Sequence, residues 1–400
     1  MKRLKMALIA LVALALAGIA AFALLRPPAT FDARVAFVND LIDKGARAGT
    51  WPGVMWAVIQ DGEIAASGAG GFADLEAQRP MTPDTTMPIA SISKVIVGLA
   101  GAQAIEDGAL DPDRPITDYL SFSPAFPDGA PRSFAHLATH TSGVRDSDAG
   151  YEAKAYHFGS VRHPVALQDF LESYLAAGGA LFDPEENFTG LAPGAQYEYS
   201  NVGAGLAAQV IADATGEDFG AYSTRTIVQP LGLSGFWGPE RESPGPQAAK
   251  LYTRGDSGAL IPFEPYGLAT WPDGQFNASA HDLARLLSAV INDGSVPDGT
   301  GLSPEVIARL TTPLAEDVPG MGAPGDAVGL FWSRETLNLI VFSLRGEGHN
   351  GGDPGIATFM YRKPGTDDGF VAMMNTEPDS PLQMLQAIRL LNALSGFPAR

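Results

Sequence analysis

The chain has 400 residues, of which 46% are hydrophobic and 18% charged, and a formal net charge of −19. That is enough apolar material for one large domain or two modest ones. It contains no cysteine, which excludes disulfides, thiolate metal sites and a cysteine nucleophile. The acidity argues against nucleic acid as a partner, because phosphates would be repelled.

Lys2, Arg3 and Lys5 open the chain, and Met6 to Leu25 then run without a charge until Arg26-Pro27-Pro28. An apolar run of that length behind a basic start reads as an export signal or a membrane anchor over residues 1–30. Its length favours an uncleaved anchor, with Ala21-Phe22-Ala23 as the alternative cleavage site. With the positive charges inside, the remainder is expected outside, in the periplasm or cell envelope. Membrane contact is expected through this segment only.

Val54–Ile59 and Glu63–Ala66, joined through Asp61-Gly62, predict a hairpin. Ser91 to Asp107 carries apolar residues at helical spacing and stops at Gly108. From about residue 110 to 269 the chain is rich in Gly, Pro, Ser and Asp, with short helical stretches. One of these holds Val202, Leu206, Val210 and Ile211 and ends at Gly216. His281–Asn292 predicts another helix. Leu337–Leu344, Gly355–Tyr361 and Gly369–Asn375 predict three strands, and Pro381–Leu394 a closing amphipathic helix. Strands at both ends with helices between them fit one sheet built from both ends of the chain, interrupted by a helical insertion.

Ser91-Ile92-Ser93-Lys94 is the first stretch that carries chemistry. Residues three apart share a helix face, so the Lys94 amine can reach the Ser91 hydroxyl. A serine is a poor nucleophile until a base takes its proton. A helix start also offers free N–H groups to a developing oxyanion. Of seven lysines, Lys94 alone has a serine three residues before it. Tyr199-Ser200-Asn201, the one Tyr-x-Asn among ten tyrosines, precedes the Val202 helix. A tyrosine beside an ammonium can lose its proton below its usual range. The plainer reading is that Asn201 caps the helix and Tyr199 packs beneath it. Gly348-His349-Asn350-Gly351-Gly352 comes third, where glycines would let a substrate lie against a strand edge.

In this order the three stretches resemble the serine β-lactamase and penicillin-binding protein superfamily. The nearest branch holds class C β-lactamases, β-lactamase-type esterases and D-stereospecific amidases. Supporting stretches run in family order: Trp51-Pro52-Gly53-Val54, Ala135 to Val144 (close to L-L-T-H-T-S-G-L), Gln229 to Leu233 (P-L-G-M) and Ser279 to Arg285 (S-T-A-x-D-L-A-R). The resemblance implies an α+β domain over residues 34–396, an antiparallel sheet flanked by helices with a mainly helical insertion at roughly 110–269. It implies a serine hydrolase acting on an ester or amide, with β-lactam hydrolysis or slow penicillin binding as the alternative. Ser91 would attack the carbonyl, and Lys94 and Tyr199 would share the base role, with the resting base left open. The N–H groups of Ser91 and Gly352 would form the oxyanion hole, Asn201 would orient Lys94 or the acyl chain, and His349 and Gly351 would face the substrate. No cofactor or metal is implied, and the partner is a small acyl substrate.

Two departures stand out. The family's Lys-Thr-Gly is His349-Asn350-Gly351 here, and histidine is a weaker cation at neutral pH. That tilts the reading from penicillins toward esters or amides. Asp273-Gly274-Gln275-Phe276 also replaces a G-G-L-Y pattern. Gly255-Asp256-Ser257-Gly258 reads as a turn. His136 and His140 have metal-ligand spacing but lack the glutamate that would complete the motif, and His140 reads as a satisfied core histidine.

Overall fold

A computed structural model describes residues 26–241, 245, 247–339 and 342–400. The apolar stretch read as a signal or anchor lies almost wholly outside the described residues. The fold is α+β and centres on a nine-stranded antiparallel sheet. Its strands are β1 (Gly53–Gln60), β2 (Glu63–Asp74), β3 (Arg79–Pro80), β4 (Ala315–Glu316), β5 (Ala327–Val328), β6 (Ser333–Leu339), β7 (Phe342–Asp353), β8 (Ile356–Arg362) and β9 (Gly369–Met374). Their spatial order is β4-β5-β6-β7-β8-β9-β1-β2-β3, so β1 from the chain start pairs with β9 from its end.

Asp61 and Gly62 both have positive φ (52° and 76°), as the tight turn between β1 and β2 demands. Strand β1 is buried on both faces, which explains its unbroken apolar run. Val54, Trp56 and Val58 face a layer made by α1 (Phe31–Arg47) and α5 (Pro381–Ser395). Met55, Ala57 and Ile59 face the main core, to which α2 (Ser93–Glu106), α3 (Asn201–Thr215) and α4 (Ala280–Ile291) contribute. A chain of hydrogen bonds ties α4 to the sheet: Ser67 Oγ to His281 Nε2 (2.8 Å) and His281 Nδ1 to Asp84 (2.7 Å).

One strand assignment is corrected. Leu337 to Leu339 and Phe342 to Leu344 do not form one strand but belong to two antiparallel strands, Leu337 opposite Leu344 and Leu339 opposite Phe342. An apolar run says nothing about where a chain reverses when no Gly or Pro marks the turn. The consequence matters for the site. Strand β6 pairs with β7 only as far as Gly348. From His349 to Asp353, among the described residues, β7 pairs with β8 alone, and its other edge carries no strand.

Candidate active site

Ser91 sits in a single 3₁₀ turn, Ala90–Ile92, just before α2. The preceding Ala90 has φ of 49°, a left-handed conformation that costs a non-glycine residue on the order of 1–3 kcal/mol. The turn is held from two sides. Ile89 N–H donates to the Phe276 carbonyl (2.8 Å), and the Ile89 carbonyl accepts from Thr358 Oγ1 (2.8 Å). Gly351 on β7 presses against the same turn. A Cβ there would stand 2.5 Å from the Ile89 carbonyl oxygen and 3.0 Å from the Ala90 Cβ. The free edge of β7 can therefore lie beside Ser91 only as glycine. Gly352 meets nothing within 4 Å, and it borders open space.

Lys94 has no exposed surface. Its ammonium donates to Ser91 Oγ (3.1 Å), Asn201 Oδ1 (2.7 Å) and the Asp273 carbonyl (3.0 Å). Those three bonds use all the donors of a protonated amine. The Tyr199 ring centroid lies 5.0 Å from Lys94 Nζ, and its phenol interacts with both Lys94 and Ser91. Tyr199 keeps 36% of its surface exposed at the cleft mouth while its hydroxyl is turned inward. The structure thus brings Ser91, Lys94, Tyr199 and Asn201 together, with His349 bordering Tyr199 at 6.2 Å between ring centroids.

Helix α3 places Tyr199 and Asn201. Ser200, not Asn201, caps this helix, its Oγ accepting from Gly203 N–H (2.8 Å). Asn201 is left free to meet Lys94. The half-buried Asp146 carboxylate clamps the same terminus. It accepts from Asn201 N–H (2.7 Å), Val202 N–H (3.0 Å) and Ser200 Oγ (2.8 Å). Carboxylates are favoured at a helix start. His140, at φ 55°, lies against the Tyr199 ring at 4.4 Å between centroids and accepts from Ser200 N–H. It is only half satisfied, because its Nε2 has no hydrogen-bond partner among the described residues.

The electrostatics follow from burial. Burial pulls Lys94 down, but Tyr199 and Asp273 outweigh it and hold the amine above its ordinary range. Burial raises the Tyr199 phenol, although Lys94 and Ser91 counter the rise. At neutral pH the pair therefore rests as ammonium and phenol. Burial and the nearby Lys94 push His349 down to about 4. The neutral ring bonds through Nδ1 to the Asn350 carbonyl. Asn350 turns its amide away from the cleft, to Glu335 (3.1 Å) and Tyr361 (2.8 Å). Burial also lifts Asp273 to about 7 and Asp353 to about 6. Asp273 Oδ1 stands 3.9 Å from Lys94 Nζ.

Reading the sequence missed Asp146, Asp273 and Asp353 as parts of the site. A lone carboxylate in a loop carries no periodic signal. The departure at residues 273–276 was the one hint that Asp273 mattered.

A family model described as Beta-lactamase matches residues 38–394. The chain belongs to the beta-lactamase family. Its relatives include Esterase EstB of Burkholderia gladioli, 30% identical over 66% of this chain and 72% of that protein. Putative penicillin-binding protein PbpX of Bacillus subtilis is 26% identical over 67% of this chain and 61% of that protein. A D-aminopeptidase of Brucella canis is 30% identical, but the alignment takes in only 46% of this chain and 32% of that protein. Among solved structures, D-amino acid amidase from Ochrobactrum anthropi shares the fold. Its TM-score is 0.68 at 21% identity, over 90% of this chain and 98% of that one.

Proposed function

We propose that this beta-lactamase family member is a serine hydrolase that cleaves esters or amides through an acyl-enzyme. The observation that carries the reading is the Lys94 ammonium held between Ser91 Oγ (3.1 Å) and Asn201 Oδ1 (2.7 Å), beside the Tyr199 phenol and under a free strand edge. The names of the esterase and amidase relatives agree with it.

The steps follow from this arrangement. Lys94 already spends its protons on other acceptors, so Tyr199, as the phenolate that Lys94 stabilises, takes the Ser91 proton. Ser91 Oγ then attacks the carbonyl carbon. The oxyanion is received by the N–H groups of Ser91 and Gly352. Such a donor is typically worth about 3–4 kcal/mol in the transition state. Tyr199 returns the proton to the leaving alcohol or amine. Water then repeats the sequence on the acyl-enzyme, with Tyr199 again as base, and frees the acid. Export of the hydrolase domain through residues 1–30 belongs to the same proposal.

β-Lactam hydrolysis gets less support. Those substrates carry a carboxylate, and His349, neutral near pH 7, offers it no charge. The test is turnover of a short-chain 4-nitrophenyl ester beside a chromogenic cephalosporin. The ester should be favoured in kcat/KM, and Ser91→Ala should abolish its hydrolysis. Unchanged hydrolysis by that variant would refute the reading. A long-lived adduct on Ser91 after β-lactam exposure, without ester turnover, would make the protein a penicillin sensor instead.

A further inference from the structure

The hydrogen bonds that tie α4 to the sheet join a serine, a histidine and an aspartate in line. None of the three is bonded to Lys94, which is engaged with Ser91, Asn201 and Asp273. Ser67 Oγ lies 2.8 Å from His281 Nε2, and His281 Nδ1 lies 2.7 Å from Asp84 Oδ1. A carboxylate only accepts, so the neutral ring carries its proton on Nδ1, and the Nε2 lone pair faces the Ser67 hydroxyl. Nucleophile, base and orienting acid stand in that order, at distances within the reach of proton transfer. Base and acid are fixed by their own elements. His281 lies in the first turn of α4, whose capping box joins Ser279 and Asp282. Asp84 lies in a turn closed by Thr85 N–H on the Thr82 carbonyl and by Thr82 N–H on Thr85 Oγ1, both at 3.0 Å.

Ser67 sits in the middle of β2, half-buried. Phe72 N–H donates to the Pro52 carbonyl (2.8 Å), so the antiparallel alternation turns the backbone groups of Gly71, Ala69 and Ser67 away from β1. The Gly71 carbonyl accordingly accepts from Met81 N–H on the far side (3.0 Å). Strand β3 pairs with β2 only at Phe72 and Asp74. Among the described residues, Ser67 N–H therefore faces an edge that carries no strand. It can receive an oxyanion formed at Ser67 Oγ, as a nucleophile's own amide does in an oxyanion hole. The side chains of His281 and Asp84 are 39% and 77% exposed, so the line of hydrogen bonds is within reach of a reagent from solvent.

We propose that Ser67, His281 and Asp84 form a second nucleophilic site, at which Ser67 takes an acyl group from a small uncharged ester. Ser67 Oγ bonds to the carbonyl carbon, and its proton passes to His281 Nε2. Ser67 N–H receives the oxyanion. The bond to the leaving oxygen then breaks, and that oxygen takes the proton from Nε2, which leaves acyl-Ser67 and an alcohol. Asp84 holds the ring in the tautomer this transfer needs and faces the imidazolium while it lasts. Residues 64–73 carry no charge and, beside Ser67, only Ala66 and Gly68, while Asp84 would repel an anion. Both features suit a small neutral acyl group. One amide serves here where two serve Ser91, and such a donor is typically worth about 10²–10³ in rate. Ser67 should therefore acylate more slowly than Ser91. The site stands independently of the acyl-transfer reading of Ser91.

The test uses a small alkyl fluorophosphonate, which marks activated serines with a stable adduct. At Ser67 the oxygen bonds to phosphorus, fluoride leaves, and the hydroxyl proton goes to His281 Nε2 and on to water. Peptide mass mapping of the wild-type protein should find the group on Ser67 as well as on Ser91, the first forming roughly 10²-fold more slowly. His281→Gln and Asp84→Ala should each slow labelling of Ser67 at least tenfold, in proteins whose melting curves match the wild type. A wild-type protein with no group on Ser67 after prolonged exposure would overturn the proposal, whether or not the variants fold. Undiminished labelling of Ser67 in folded His281→Gln would overturn it too, since Ser67 would then be an ordinary surface hydroxyl. A group on Ser67 without one on Ser91 would uphold this site and count against the reading of Ser91, so the two fail separately.

Discussion

Burial alone would weaken the hold of Lys94 on its proton. What keeps it is the negative potential around it, from Asp273 and from whatever charge Tyr199 carries. The same potential and the same burial keep Tyr199 protonated. The working base is therefore a minor species at neutral pH, and the pair titrates as a unit. Ester kcat/KM should rise with pH well past 7. Asp273 is ionised in that range, since its pKa of about 7 lies below it. Its charge then opposes proton loss from both partners. Asp273→Asn should shift the rising limb of the kcat/KM profile to lower pH, and an unmoved limb would show that Asp273 does not set the pair. Tyr199→Phe removes only a hydroxyl from a ring packed on His140, so it should fold and lose about 10²–10⁴-fold in kcat.

At the scale of elements, the site depends on a strand and a turn touching without side chains between them. Gly351→Ala would drive a Cβ into the Ile89 carbonyl and Thr358 Oγ1, the groups that hold the Ser91 turn. Overpacking of this kind costs about 1–3 kcal/mol. The larger effect should be on rate, at least a hundredfold in kcat/KM, because the nucleophile and the oxyanion donor move apart. Gly352→Ala keeps its N–H and meets nothing, so it should lose far less. Equal losses in the two variants, measured beside melting curves, would remove the steric argument. This contact also explains what could be read in advance. Ser91 to Lys94, Tyr199 to Asn201 and His349 to Gly351 are short local patterns, and each element around them has its own periodicity or turn residue. No Gly or Pro stands in the sequence between β6 and β7, so the apolar run there reads as one strand. Asp146, Asp273 and Asp353 act across 55, 179 and more than 250 residues of chain respectively, distances over which no local pattern reports a contact.

For the whole molecule, the concentration of buried charge around one serine has a thermodynamic signature. Asp273 is an acid that the fold would rather keep neutral. Below its ordinary pKa of 3.8 it is protonated whether the chain is folded or not, and it contributes no pH dependence. Between there and about 7 the unfolded chain releases the proton first, so stability falls as pH rises through that window. Above about 7 the folded protein carries the ionised form, and the full cost is present, on the order of a few kcal/mol and reduced by Lys94. His349 works in the opposite sense. Its pKa of about 4 lies below the ordinary 6.5, so acidification through that interval costs stability. The two slopes oppose each other between roughly pH 4 and 6.5, and above that the carboxylate cost stands alone. Asp273→Asn should therefore raise the melting temperature more at pH 8 than at pH 5, by a few degrees. Differential scanning calorimetry at the two pH values decides it. An equal shift at both would mean that Asp273 is already ionised at pH 5, and that Lys94 compensates its burial in full.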